Sequence, residues 1–376
     1  MGRVKVVVGA NFGDEGKGRA TSFFSYKSEG PVLNVLFNGG AQRGHTAHNH
    51  IFHCFGSGYL DGADTYYDRK FVVDPIGFKT EGEDLDIKKG RAFIDKDCLV
   101  STPYDILINQ AKEESRGKRR HGSCGMGIFE TLYRSKFLPI YAKDIMNPHI
   151  LYEKLRYIKD FWIPMRAKEL GIEINLEINY NTLFMLFLNS CDYISTYAVF
   201  VNGIEKVLKD YETVIFEGAQ GLGLSMGRME YYPHLTPSYT GCENILPLLG
   251  NYCQDIPVEI NYITRTYTTR HGAGPLELEC KKEDINSSII DRTNEENKWQ
   301  GAIRYGYFNP DLFSKLVDED FNKVKEICPH ATQEILITHG DYTNNKMCVG
   351  KNTYKTFGEI FGERYRAGFL SNEVNK

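Results

Sequence analysis

The sequence predicts an α/β protein: one large domain over residues 1–376, built around a mostly parallel β-sheet, with helical insertions at about residues 101–210. Three observations carry that expectation. Short apolar runs rich in β-branched residues recur along the chain, and such runs read as strands buried on both faces. Each run passes directly into a loop of glycine and polar residues. The first loop leads into a helical pattern and then a second strand, an order that puts ligand-binding loops at the carboxyl ends of parallel strands.

Val4–Val8 is the first strand, followed by the glycine loop GANFGDEGKG and a helix starting near Arg19–Ser25. Pro31–Phe37 is a second apolar run and ends in another glycine loop, Asn38–Gly44. Residues 101–175 mix helical periodicity with the loop RHGSCGMGIFETLYR. Thr213–Phe216 runs into EGAQGLGLSMG, Val258–Thr264 precedes TYTTRHGAGP, and Ile335–Thr338 ends at His339-Gly340-Asp341. The stretch 281–300, KKEDINSSIIDRTNEENKWQ, is polar and is expected to be a loop.

A chain of 376 residues that is 41% hydrophobic and 25% charged can bury a sizeable core. Its net charge of −4 argues against general binding to nucleic acid or to membrane surfaces. Local phosphate pockets need only a few positioned donors. Nine cysteines without a CxxC spacing predict reduced thiols rather than a disulfide framework. The amino terminus lacks a signal-peptide pattern, and no run approaches a membrane span, so a cytoplasmic protein is expected.

The glycine loop approximates a Walker A motif without meeting it. Gly16-Lys17 is present, but Asn11 stands at the upstream glycine position and Gly18 replaces the hydroxyl residue that would hold Mg²⁺. Backbone amides and the following helix can still cradle phosphate. Asp14 and Glu15 would repel it, unless a cation intervenes or a carboxylate takes a proton. The histidines at 45, 48, 50 and 53, with Cys54, match no standard zinc spacing. Cys124 has no evident His–acid pair, and RGKRR at 116–120 reads as a solvated face.

Five ordered segments, GDEGKG, GGAQRGHT, FEGAQG, YYPHLTPSYTG and TTRHGAGP, occur between residues 3 and 275. Together they resemble the adenylosuccinate synthetase family, whose corresponding motifs read GDEGKGK, GGHNAGHT, FEGAQG, YPYVTSSNT and STRVGAGP. The resemblance implies a P-loop-like GTP-binding core and a purine nucleotide C6–N ligase. It implies GTP, or ATP, as co-substrate with Mg²⁺, phosphorylation of the 6-oxygen of IMP, and displacement of that phosphate by the amine of aspartate.

It further implies roles for individual residues. Asp14 draws the N1 proton and contacts the metal with the Gly44 carbonyl; Lys17 neutralises phosphates; His45 stabilises the transferring phosphoryl group. Gln220 and Thr236 hold the 6-phosphoryl group. Asn11, Gln42, Ser123, Cys124, Gly125, Arg270 and His271 line the substrate nucleotide, and Arg134 reaches the nucleotide phosphate across a homodimer. Gly13, Glu15, Gly16, Gly18, Thr46 and Asp341 bind the triphosphate nucleotide, where Asp341 can accept the N1–H and 2-amino hydrogens of guanine.

Two departures qualify the match. The family's aspartate-binding arginines correspond here to Trp299, Gly301 and Ile303, and only Arg304 remains in register. Neutral side chains cannot replace bidentate guanidiniums, so a non-aspartate donor is an alternative. The chain is also shorter after the Asp341 strand, as in compact phage relatives that act on dGMP, often with ATP. Those relatives carry a small Ser- or Thr-type residue at the position of Asp14, so Asp14 favours an unsubstituted 6-oxopurine. A catalytically silent nucleotide-binding homologue is the non-enzyme alternative; joint retention of Asp14, Lys17, His45, Gln220 and Thr236 argues against it.

Overall fold

A computed structural model describes residues 2–117, 121–174, 180–252, 256–290 and 301–370. Nine strands form the central sheet: Arg3–Gly9 (β1), Val32–Leu36 (β2), Asp64–Tyr67 (β3), Ala92–Asp95 (β4), Ala198–Val201 (β5), Thr213–Gly221 (β6), Val258–Arg265 (β7), Thr332–Thr338 (β8) and Ala367–Phe369 (β9). Their spatial order is β9-β8-β7-β1-β6-β2-β3-β4-β5. Every pairing within the sheet is parallel, a step beyond the mostly parallel expectation.

The continuous apolar runs follow from burial on both faces. Val6, Val7 and Val8 of β1 are fully buried, each side chain contributing about 1.5–3 kcal/mol. The five residues of β2 are all buried, including Asn34. Its carboxamide is satisfied by the Gly58 amide (2.8 Å) and by Ser25 Oγ (3.3 Å), so the polar group carries no unpaired cost.

The chain leaves β1 through the glycine loop into helix α1 (Lys17–Tyr26) and then moves toward β5. From β6 it crosses to the opposite side, toward β7, β8 and β9. The direction of winding reverses beside β1, and the crevice at such a reversal is where open α/β sheets bind ligands. A small antiparallel sheet, Thr268–Arg270 with Arg304–Gly306 and Glu279–Cys280, flanks this crevice after β7.

The helical segment expected at 101–210 begins with Pro103–Arg116 and ends with Tyr180–Tyr197, between β4 and β5. Its apolar side chains Ile108, Leu151, Leu155, Trp162 and Ile194 share a core with Leu36, Tyr67 and Ile94 of the sheet. No described helix is long and apolar enough to cross a membrane.

Candidate active site

The loop after β1 is closed by its own carboxylate. Glu15 accepts hydrogen bonds from the amides of Asn11 (3.1 Å) and Gly13 (2.8 Å) and pairs with Lys17 Nζ at 2.7 Å. A Cβ on Gly9 would lie 2.4 Å from Glu15 Oε2, so glycine is required where the loop folds back over the strand end. Neighbouring strand ends pin successive carbonyls: Thr269 Oγ1 donates to Gly13 O (3.2 Å), Arg265 Nε to Asp14 O, and Thr338 Oγ1 to Glu15 O (2.8 Å). Asn11 spends its side-chain amide on Thr264 Oγ1 (2.9 Å). α1 starts after left-handed Gly16 with no side-chain cap and no acid in its first turn. Its free amides and dipole therefore face the loop as an anion site.

Two residues expected to meet nucleotide are engaged within the protein. Glu15 is fully buried, its carboxylate bonded to the loop's own amides and to Lys17. The Asn11 amide is likewise committed inside the protein. Lys17 lies within the same buried pair, so the loop carries a balanced charge rather than a bare cation.

Asp14 differs from its neighbours. Its backbone is left-handed (φ 61°), a conformation of order 1 kcal/mol above the ordinary regions, and such strain clusters at functional sites. Its side chain is 21% exposed, with Oδ2 3.5 Å from His271 Nε2. Burial pushes its pKa upward, with Glu15 adding to that; His271, Arg265 and Lys17 pull the other way, and the net shift is up. A carboxylate with raised proton affinity at a pocket mouth suits proton abstraction. His271 Nδ1, beside it, is buried without a partner among the described residues, as are both polar atoms of the Gln42 amide on the loop after β2. Gln220, at the end of β6, is also left-handed (φ 65°).

His45 is held against α1, for a Cβ on Gly18 would approach His45 Cβ to 2.8 Å. Its Nδ1 lies 2.7 Å from Glu217 Oε1, which also accepts from Arg43 NH2 (2.8 Å) and from the Ser57 hydroxyl. The Ser57 amide donates to Glu217 Oε2 at 3.0 Å. Burial, then the Arg43 charge, lower the His45 pKa to about 3 despite Glu217. Burial works against ionised Glu217, but Arg43, His45 and Ser57 together hold its pKa at about 2. Glu217 is thus a carboxylate, and His45 is a neutral imidazole oriented through Nδ1.

The nucleotide-side loops meet at Gly122, where a Cβ would lie 2.7 Å from the Ala273 amide. Ser123 Oγ donates to Asn109 Oδ1 (3.0 Å) and accepts from the Gly125 amide (3.2 Å), while burial pushes the Cys124 thiol up to about 11. Thr236 is anchored by its amide to Leu224 O (2.9 Å) and is half-buried. Arg270 is a clasp for its own loop: NH1 donates to Pro275 O (2.9 Å) and NH2 to His234 O (2.8 Å). Its Nε is buried without a partner among the described residues, and the residue is 1% exposed.

Arg134, expected to reach a partner's nucleotide, is engaged within its own chain. Its guanidinium is enclosed within its own chain, forked onto Asp105 (2.8 and 2.9 Å) and donating to Leu138 O and Val100 O. Asp105 is itself fixed by a capping box with Thr102. A buried, fully bonded ion pair cannot be spared for a partner's nucleotide without leaving Asp105 unpaired.

Arg304 donates to Glu279 through Nε (2.8 Å) and through NH2, and to Gly272 O (3.1 Å) and Gly274 O (2.7 Å) through NH1. Trp299 lies outside the described residues. Asp341 is exposed on the turn Gly340–Tyr342 after β8. It faces α1, where its charge opposes the downward pull of burial on Arg19. Gly44 is exposed, and a Cβ there would touch only His53 and Ile51 side chains at 3.5 Å. Among the described residues, no cluster of three His, Cys, Asp or Glu side chains forms a metal cage. Mg²⁺ does not need one, since it is commonly held by one or two protein oxygens with substrate phosphates. Asp14, whose side chain is 21% exposed, fits that use.

A family model described as adenylosuccinate synthetase matches residues 6–327. The chain belongs to the adenylosuccinate synthetase family. It is a ligase forming a C–N bond, and the family works with GTP and Mg²⁺. Similar relatives include adenylosuccinate synthetases of Crocosphaera subtropica (28% identical, covering 81% of this chain and 69% of the relative), Desulfitobacterium hafniense (27%; 95% and 82%) and Xylella fastidiosa (31%; 81% and 71%). The fold matches a fully ligated adenylosuccinate synthetase from Plasmodium falciparum (TM-score 0.69, 20% identity, 91% of this chain and 78% of that one). It also matches the cyanophage S-2L succinoaminodeoxyadenylate synthetase PurZ bound to dGMP and dATP (TM-score 0.60, 15% identity, 91% and 86%).

The sequence reading missed Glu217, Arg43, Ser57, Arg265 and Thr338. Glu217 had a visible signal, a glutamate inside the apolar run TVIFEG. Arg43 stands where the family motif has alanine. Thr338 and Arg265 are distant in sequence from the loop they pin, so no local pattern reports them.

Proposed function

We propose that the protein transfers the γ-phosphoryl group of GTP to the 6-oxygen of IMP and then replaces it with the amine of aspartate, giving adenylosuccinate, GDP and phosphate. The observation that supports this most is Asp14: a raised, partly open carboxylate within a phosphate loop, faced by His271. Asp14 takes the N1 proton as O6 gains electron density, and O6 attacks the γ-phosphorus while the bond to the β-phosphate oxygen breaks. Neutral His45, aligned by Glu217, and the α1 amides border the transferring group. Gln220 and Thr236 hold the 6-phosphoryl group. Bound Mg²⁺ neutralises phosphate charge. The amine nitrogen then attacks C6, the C6–O6 bond breaks, and phosphate leaves with the oxygen.

The amine donor admits a second reading, because Arg304 is already committed to Glu279 and two carbonyls. A donor with a single carboxylate accommodates that arrangement. For the nucleotide, the short connection from Asp341 to the hairpin Met347–Gly350 and Thr353–Lys355 supports a compact, dGMP- and ATP-using variant. Asp14 supports IMP. Asp341 supports GTP. We further read the protein as a cytoplasmic homodimer, with the exposed Phe129, Phe137, Tyr157, Phe161 and Met165 as candidate contacts.

A phosphate-release assay crossing IMP, GMP and dGMP with GTP and ATP, over a panel of amino acids, tests these choices. IMP, GTP and aspartate are expected to turn over best. Turnover only with a neutral amino acid would replace aspartate as donor, and no phosphate release with any combination would end the enzyme reading. A sedimentation mass equal to one 43.0 kDa chain would refute the dimer.

A further inference from the structure

Arg43 occupies the alanine position of the family motif GGHNAGHT, and its side chain is 1% exposed. One nitrogen makes all its side-chain contacts: NH2 lies 2.8 Å from Glu217 Oε1, 3.1 Å from His45 Nδ1 and 3.4 Å from Ser57 Oγ. Nε and NH1 are buried without partners among the described residues. The other charge near the guanidinium is Glu81, which accepts the amides of His53, Cys54 and Phe55 and so is already bonded.

Filling that space requires no charge. A buried guanidinium with two idle nitrogens is costlier than an apolar side chain of similar volume. What offsets that cost lies at NH2. Glu217 Oε1 accepts from both Arg43 and His45, and its 2.7 Å contact with Nδ1 requires the proton to sit on that nitrogen. Nε2 is then the nitrogen left to act outside the cluster. Ser57 binds both oxygens of Glu217, so the carboxylate cannot rotate to serve only one of its two cationic or polar partners.

We propose that Arg43 is a positioning residue for phosphoryl transfer: by sharing Glu217 Oε1 with His45, it fixes the tautomer and ring plane of the histidine that borders the transferring group. The inference rests on the reading of His45 given above. It adds a determinant that the family motif lacks. The mechanism is the usual one for an imidazole whose second nitrogen is held by an outer partner.

The test uses the full chain carrying Arg43→Met, Arg43→Ala or Arg43→Lys, with two readouts. In the unliganded protein with ¹⁵N-labelled histidine, His45 gives a low-field Nδ1–H resonance, assigned by its loss in His45→Asn. That signal persists in Arg43→Lys and is lost to exchange in Arg43→Met. In the phosphate-release assay, Arg43→Met lowers kcat about 10- to 100-fold, the range typical for losing an outer partner of a working imidazole. Nucleotide KM values stay within about twofold, and Arg43→Lys restores part of kcat. Arg43→Met keeps the side-chain volume, so it folds where Arg43→Ala leaves a cavity. A folded Arg43→Met protein with an unchanged resonance and unchanged kcat overturns the proposal. If the wild-type protein turns over no substrate, the proposed function fails, while the resonance still decides what Arg43 does.

Discussion

Two halves of the crevice are built on opposite rules. On one side, the loop around Glu15–Lys17 and the cluster Arg43–His45–Glu217 pair their carboxylates internally and are closed to solvent. On the other, Asp14 stays partly open at 3.5 Å from His271, whose Nδ1 is buried without a partner among the described residues. A carboxylate that is paired and bonded on all sides is preorganised, and it cannot take up a proton cheaply. A group left partly open with raised proton affinity can. The first side is a fixed, internally paired frame, and the second keeps a carboxylate partly open.

The largest expected effect comes from breaking the open side. Asp14→Asn should lower kcat by on the order of 10³-fold, because an amide cannot take the N1 proton. Nucleotide affinity and thermal unfolding should stay close to wild type, since the Asp14 side chain supports little of the fold. Loss of nucleotide binding in Asp14→Asn, measured by calorimetry, would instead assign Asp14 a structural role.

The closed side should show its character through pH. His45 has a folded-state pKa of about 3 against an ordinary 6.5, so the unfolded chain binds that proton first as the pH falls. Glu217 behaves in the same sense between 4.5 and about 2. Asp14, shifted upward, works in the opposite sense, as do the carboxylates of Asp68, Asp74, Glu81 and Asp320, which burial also raises. Wild type should therefore lose more stability than His45→Asn on going from pH 7 to pH 5, with on the order of 1–2 kcal/mol of the difference from His45. Urea unfolding of wild type and His45→Asn at both pH values measures it. An equal drop in the two proteins would show that His45 is not the group responsible.

Both halves were legible to different degrees in the sequence. The runs at Val4–Val8 and Thr213–Phe216 report strands because burial on both faces leaves a nearly continuous apolar signature, and Val258–Thr264 does so through its length and its β-branched and aromatic residues. The strands at Asp64–Tyr67 and Ala92–Asp95 escaped, being short and interrupted by polar or charged residues. Asp14, Lys17 and His45 were legible because motif order carries them. What holds Asp14 and His45 was not, because their partners come from strands over 150 residues away, as Arg265 does for Asp14 and Glu217 for His45. The pairing of Arg134 was hidden for a related reason: an arginine on a helix looks the same in sequence whether or not it pairs with Asp105 behind it.

The central claim is that the 6-oxygen of the purine leaves as phosphate after activation by Asp14. The most direct measurement incubates IMP, GMP and dGMP, each labelled with ¹⁸O at position 6, with unlabelled GTP or ATP and the amine donor, and analyses the released phosphate by mass. Phosphate carrying one ¹⁸O for each C–N bond formed is the predicted result. C–N bond formation that releases only unlabelled phosphate would contradict a 6-phosphoryl intermediate.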